Sequence, residues 1–398
     1  MYFCRVDAKD IFLRHLAPTS RHPVLLEVAN AKGAIITDTS GKHYYDLIAG
    51  IGVASVGHNN ATVKQAVNEQ MDRHAHVMVY GEFVQAAVNQ LAFSLASLLP
   101  PRLSTTYLVN SGAEANEGAL KLAKRVTGRH RIVAFKGGYH GNTQGAMSVS
   151  ANETKKQPFR PLVPGTVFLD YNDLAGLSGI DKTVAGVIIE PIQGDAGVRV
   201  PDEGFMRALR ERCTEAGALL IFDEVQTGIG RTGKMFAFEH IGVIPDILTL
   251  AKGLGGGLPI GAFISSYENM QLLAENPMLG HITTFGGNPV SAAAATAVLN
   301  IVGKPSFLQA VERKGALLAE CLQHPQVRAI RRKGLLLAIE LADEKKVDKA
   351  IELALAKGVI IYWFLSTRNC FRISPPLTIS EDEIRQSCNV LQEVFATL

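Results

Sequence analysis

ALLIFDEVQTGIGRTGKMFAFEHIGVIPDILTLAKGLGGGLPIGA, residues 218–262, sets an acid at the end of one apolar segment and a lysine at the end of another. Ala218 to Phe222 is apolar without alternation, the pattern of a strand buried on both faces of a parallel sheet, and Asp223 falls at its carboxyl end. Ligand sites of open α/β sheets lie at that edge. A second apolar segment, Ile247 to Ala251, delivers Lys252 into a loop carrying Gly253, Gly255, Gly256 and Gly257, where backbone can approach a ligand closely. Removing an ammonium from water lowers its pKa and frees the amine to attack a carbonyl, so Lys252 is a candidate nucleophile. A lone lysine more often lays its stem on apolar surface and keeps its charged head in water.

The strings DEVQTGIGRTG and LAKG together resemble the class III pyridoxal-phosphate aminotransferases, the group containing the ornithine, acetylornithine and 4-aminobutyrate enzymes. The resemblance extends over nearly the whole chain. It implies that Lys252 holds pyridoxal 5'-phosphate covalently through an imine and that Asp223 pairs with the pyridinium nitrogen. A carboxylate there keeps the ring protonated, able to accept electron density when the substrate loses its α proton. Lys252, once released as a free amine, then carries that proton from Cα to the cofactor carbon.

Composition agrees with an enzyme of this size. The 398 residues allow two or three domains, and 47% hydrophobic with 19% charged content fits an ordinary globular chain. A formal net charge of +3, dispersed, argues against nucleic acid or an anionic membrane as partner. No run approaches the ~18 apolar residues of a membrane span, and MYFCRVDAKDIF lacks a basic-then-apolar signal pattern, so a cytoplasmic location is expected. Cys4, Cys213, Cys321, Cys370 and Cys388 are odd in number, widely spaced and free of any CxxC, which predicts free thiols and no metal site.

From Pro23 to Gly50 short β-type runs broken by turns predict a small antiparallel piece. GAIITDTSGKHYYDLIAGIGVASVGH resembles the family's amino-terminal segment, although Asn59 and Asn60 stand where relatives often have histidine and proline, and His58 is read as structural. Helical spacing covers Ala61 to Met71 and Phe83 to Leu99, with Pro100 and Pro101 ending the second. Between them HAHVMVYGEF is mixed; Tyr80 either faces substrate, as the resemblance implies, or packs at a helix start.

Thr105 to Val109 is a predicted strand, and NSGAEANEGALKLAKRV opens a helix straight from a Ser-Gly turn, presenting unpaired N–H groups and a positive dipole end. Such a turn is usually only a cap. The full string SGAEANE resembles the family's phosphate site, which implicates Ser111, Gly112 and Ala113. After the strand Arg131 to Phe135 comes KGGYHGNTQGAMSVSAN, the aromatic-His-Gly position, where the resemblance gives Tyr139 and His140 to the cofactor, Tyr139 stacking on its ring. Many relatives that act on carboxylated substrates have arginine after the HG; here it is Asn142. Val184 to Ile189 leads into EPIQGDAGV, where Glu190 and Gln193 match the family and Asp195 is one methylene shorter than its glutamate. By the same resemblance Val225 packs on the ring opposite Tyr139, Gln226 bonds the phenolic oxygen, and Thr284, in HITTFGGNP, reaches the phosphate of a neighbouring subunit. A two-fold homodimer with shared sites follows.

FRISPPLTIS resembles the carboxylate-binding segment, and Arg372 can fork two bonds onto one carboxylate, though structural ion pairs also place arginine beside acids. The expected fold is α/β, fold-type I: a large domain around a mostly parallel, seven-stranded-type sheet with a smaller α+β domain made from both chain ends. The boundaries are placed at 1–55 and 303–398 for the small domain and 56–302 for the large. The expected reaction is ping-pong transamination from an amine donor, N-acetylornithine or ornithine before diamines, 4-aminobutyrate or other ω-amines, to 2-oxoglutarate, giving glutamate. An aminomutase and a catalytically dead relative stay open as alternatives. A dehydrogenase is disfavoured because no G-x-G-x-x-G opens a helix after a strand.

Overall fold

Leu219–Asp223 forms a strand whose Leu220 and Phe222 enter one apolar cluster while Ile221 enters another, so cover on both faces accounts for its unbroken apolar run. The computed structural model describes residues 7–79 and 81–398. Among these the largest sheet has seven strands, in the order Thr105–Val109, Gly261–Ser265, Ile247–Leu250, Leu219–Asp223, Val184–Ile189, Arg131–Phe135 and Thr166–Leu169. Only Gly261–Ser265 runs antiparallel to its neighbours. That strand and Thr166–Leu169 escape the sequence reading, the first because its glycine-rich approach looks like loop.

Helix Gly112–Thr127 lies across the sheet. Ser111 caps it by accepting from the Glu114 amide at 3.2 Å, and Gly128, at φ 67°, ends it in the left-handed conformation. Its buried face, Ala115, Ala119, Leu122 and Ala123, follows helical spacing. Gly118 lies close against the sheet: a Cβ there would be 2.3 Å from the Phe263 ring.

The predicted helices appear as Ala61–Arg73 and Ala86–Leu98, the second starting later than its apolar pattern suggests. The last helix, Glu381–Ala396, starts at a capping box between Ser380 and Glu383. Leu336–Glu340 lies in a four-stranded sheet with Ala329–Lys333, Cys370–Ile373 and Tyr362–Trp363.

Near the amino terminus Val28–Lys32, Ile35–Asp38 and His43–Asp46 form the expected antiparallel piece, and Val359–Ile360 adds to it as a parallel fourth strand. Ala34 and Leu47 share an apolar cluster with Leu337, Val359, Phe371 and Leu391, so residues from both chain ends pack together. His58 donates from Nε2 to Asp46 Oδ2 at 2.7 Å, in keeping with a structural role. Arg231 is buried and spans the two regions, donating to the carbonyls of Leu335 at 3.0 Å and Pro375 at 2.6 Å. Cys213, Cys321, Cys370 and Cys388 are free thiols. Among the described residues no helix is long and apolar enough to cross a membrane, and no group of three or more His, Cys, Asp or Glu is placed to hold a metal ion.

The contact at Gly118 is testable. Gly118→Val should destabilise the protein by about 1–3 kcal/mol through overpacking against Phe263, read as a lower midpoint in thermal denaturation. An unchanged midpoint would mean that the helix backs off the sheet without cost.

Candidate active site

Asp223 sits opposite Thr249 in the neighbouring parallel strand, so that neighbour's chain brings Lys252 out at the same sheet edge. The two residues on which the sequence reading centred therefore meet through strand register. Asp223 is 4% exposed, and both oxygens of its carboxylate accept from protein groups. Oδ2 accepts from His140 Nδ1 at 2.7 Å and from Asn116 Nδ2 at 2.8 Å, and Oδ1 accepts from the Val225 amide at 3.0 Å. Asn116 in turn donates to the His140 carbonyl at 2.8 Å and accepts from Thr249 Oγ1 at 2.8 Å. Asn116 and Thr249 were missed as site residues. Their signals were an asparagine inside SGAEANE and a lone hydroxyl in the buried strand Ile247–Leu250.

Lys252 occupies the left-handed region at φ 45°, strain of about 1–3 kcal/mol for a side-chain-bearing residue that the surrounding loop must hold. It lines a cavity of about 560 Å³. Burial lowers its pKa from the usual lysine value; Asp223 opposes that shift and Arg372 adds to it.

The cavity gathers most of the expected residues. Ser111, Gly112 and Ala113 bring the start of helix Gly112–Thr127, whose first two amides have no acceptor inside the helix. Gly112 is required there, because a Cβ would stand 2.6 Å from Val225 Cγ1. Tyr139, His140 and Asn142 come from the loop after Arg131–Phe135, and Val225 and Gln226 from the turn after Asp223. Burial raises the Tyr139 phenol above its ordinary pKa. Gln226 Nε2 and His140 Nε2 are buried with no partner in the protein.

Glu190 also lines the cavity, but its oxygens accept from the amides of Tyr139 at 3.0 Å and Gly194 at 2.9 Å, so it fixes two loops. Burial pushes its carboxyl up to about 7, against the opposing effect of His140.

Arg372 and Asp195 lie beside the cavity without lining it. Both are buried, and Arg372 Nη2 meets Asp195 Oδ1 at 3.1 Å. Burial lowers the guanidinium pKa and Asp195 opposes this. Asp195 further accepts from the Leu365 amide and Ser366 Oγ, each at 2.8 Å. Nothing in the sequence pointed to Leu365 or Ser366. Thr284 is exposed and does not line the cavity of its own chain. Tyr80 lies outside the described residues.

The model of the family described as Aminotransferase class-III matches residues 16–395. The chain is 41% identical over 396 residues to the acetylornithine aminotransferase of Methanopyrus kandleri, covering 98% of this chain and 99% of that protein. To the acetylornithine aminotransferase of Corynebacterium efficiens it is 43% identical over 384 residues, covering 94% and 93%. A structure of the ornithine aminotransferase from Toxoplasma gondii, with partial occupancy of PLP at its active site, superposes with a TM-score of 0.90 at 31% identity, covering 98% of this chain and 94% of that one.

A lowered lysine pKa has a direct readout. Incubation of apoprotein with pyridoxal 5'-phosphate, then borohydride and peptide mapping, should label Lys252 at pH values where ordinary lysines are protonated. The rate should rise with pH and level off below the usual lysine pKa of 10.5. Asp223→Asn should move that levelling point lower still, because Asp223 favours the ammonium. Label on a different lysine would refute the assignment.

Proposed function

The chain belongs to the class-III aminotransferases, which depend on pyridoxal 5'-phosphate, and from that premise we propose that it moves the terminal amine of N-acetylornithine or ornithine to 2-oxoglutarate by a ping-pong mechanism. The residues present fit the cofactor. Two helix-start amides offer a phosphate site, the buried carboxylate of Asp223 would serve a ring nitrogen, and Gln226 Nε2 is a buried donor in want of an acceptor. When bound, the cofactor supplies an electron sink for the charge left as the substrate carbon loses its proton.

The protein's own part divides as follows. Ser111, Gly112 and Ala113 would hold the phosphate, Tyr139 and Val225 would confine the ring, and Gln226 would donate to its phenolic oxygen. Asp223, fixed by His140 and Asn116, would keep the ring nitrogen protonated, while Glu190 would hold the Tyr139 loop in place. Lys252 would anchor the cofactor and, when released, move the proton at the substrate carbon, a task suited to an amine of lowered pKa.

The choice of substrates rests on the buried pair of Arg372 and Asp195. A free arginine there suits the α-carboxylate of 2-oxoglutarate. An ω-amine donor puts no carboxylate at that place, and an unpaired buried cation would be costly. Asp195 neutralises it, and the 3.1 Å contact supports the view that the shorter acid reaches far enough. The names of the relatives support the same donors. One observation favours a second reading, a donor with a less anionic far end: Lys252 is the only lysine or arginine among the described residues lining the cavity, and Asn142 stands at its mouth.

The site is completed, on this reading, by a second copy of the chain, with Thr284 reaching the neighbour's phosphate. Supporting it, Val84 is 90% exposed and Phe83, Phe93, Met278, Leu279 and Phe285 are exposed as well, large apolar side chains that a partner would cover.

An amine panel scored by glutamate formed from 2-oxoglutarate should rank N-acetylornithine or ornithine above diamines and other ω-amines. Aspartate outperforming every ω-amine would defeat the proposal. Asp223→Asn should retain cofactor but turn over about 100-fold or more slowly, in line with loss of an electrostatic stabiliser; a near-normal rate would dismiss its role. Mixing inactive Lys252→Ala with impaired Thr284→Ala should recover activity in hybrid dimers, and a fully active monomer on sedimentation would exclude the shared site.

A further inference from the structure

Asp195 is held by more than the arginine it neutralises. Leu365 N–H donates to Oδ1 and Ser366 O–H to Oδ2, both at 2.8 Å, whereas Arg372 offers a single N–H at 3.1 Å. Neither of the shorter bonds depends on the arginine. Asn152 Nδ2, at 3.4 Å from the Leu365 carbonyl and 3.5 Å from Ser366 Oγ, steadies the same segment. Phe364, one residue earlier, lies beneath the guanidinium with 4.6 Å between Arg372 Cζ and the ring centroid.

Arg372 is the looser member of the pair. Its Nε is buried with no partner, so the fork that could grip a carboxylate with two parallel bonds is only partly used in this state. A flat aromatic surface tolerates rotation of a guanidinium better than a directed hydrogen bond does. The carboxylate is fixed at both oxygens, and the cation rests on a face.

From this asymmetry we infer that Ser366, together with the Leu365 amide, moors Asp195 as a stationary counter-ion. A keto acid is then admitted by Arg372 turning over Phe364 toward the incoming carboxylate while Asp195 stays. Ser366 is a positioning residue and touches no substrate. Its effect is on the open state: when Arg372 leaves, Asp195 keeps two donors, which lowers the cost of leaving a buried carboxylate without its cation. The inference rests on the proposed pairing of Arg372 with the 2-oxoglutarate carboxylate.

Ser366 is exposed and fills no core, so Ser366→Ala should fold normally. In the variant the carboxylate has one donor fewer once Arg372 departs, so Arg372 is retained more strongly. Calorimetry of the holoenzyme with glutarate, an unreactive dicarboxylate, should show affinity about tenfold weaker, the scale of one hydrogen bond to a charged group. Single-turnover kinetics should show a similar rise in the apparent KM for 2-oxoglutarate, with much smaller change in the limiting rate and in the amine half-reaction, where the pair stays closed. Ser366→Thr, which keeps the hydroxyl, should restore the affinity. Unchanged glutarate affinity in Ser366→Ala, or equal losses in both half-reactions, would overturn the inference while leaving the proposed function intact. Failure of the parent enzyme to form glutamate from 2-oxoglutarate with any amine would instead overturn the reading beneath it.

Discussion

A carboxylate taken out of water must be met by donors on every side, and Asp223 imposes that requirement on four separate parts of the chain. Asn116 comes from the helix after the first strand of the large sheet, His140 from the loop after Arg131–Phe135, and the Val225 amide from the turn beyond Asp223 itself. Thr249, in the adjacent strand, orients Asn116. Leaving such a group short of a partner costs about 1–3 kcal/mol, more for a charge, which is a large share of a protein's net stability. The folding energetics of the sheet edge and the geometry of the site are thus the same problem.

Around Lys252 three acidic groups, Asp223, Glu190 and Asp195, and one cation, Arg372, are disposed with opposite effects. Asp223 favours the ammonium, Arg372 disfavours it, and burial outweighs both. The amine therefore responds to the state of the Arg372–Asp195 pair as well as to its own pocket. Arg231 extends this dependence: by bonding the carbonyls of Leu335 and Pro375 it ties the sheet that carries Arg372 to the loop that follows Gln226. The two halves of the site are built on different apolar clusters and are joined through these bonds.

How much of this was legible follows from range in the sequence. Asp223 and Lys252 stood out because each ends an apolar run, and strand register did the rest. Ser111, Gly112 and Ala113 were visible because a helix start has a local signature. Glu190 was expected at the cofactor; it lines the cavity, and its oxygens accept from the Tyr139 and Gly194 amides, a fact of loop packing that spacing does not encode. Leu365 and Ser366 approach Asp195 from far along the chain through a backbone amide and an exposed hydroxyl, neither of which has any pattern to betray it. The strand Gly261–Ser265 was lost for a related reason: glycine and proline before it read as loop, yet Gly261 is needed because a Cβ would meet the Ser111 carbonyl at 2.3 Å.

The parallel pairing of Val359–Ile360 with His43–Asp46 has a consequence for biosynthesis. All seven strands of the large sheet are translated between these two segments. At about 5–20 residues per second, the amino-terminal three-stranded piece spends on the order of tens of seconds with His43–Asp46 as an open edge before its fourth strand leaves the ribosome. During that interval the large sheet can form around its own apolar clusters, while the earlier-made edge offers unpaired backbone to any neighbouring nascent chain. This piece, translated before the large sheet, is therefore closed after it.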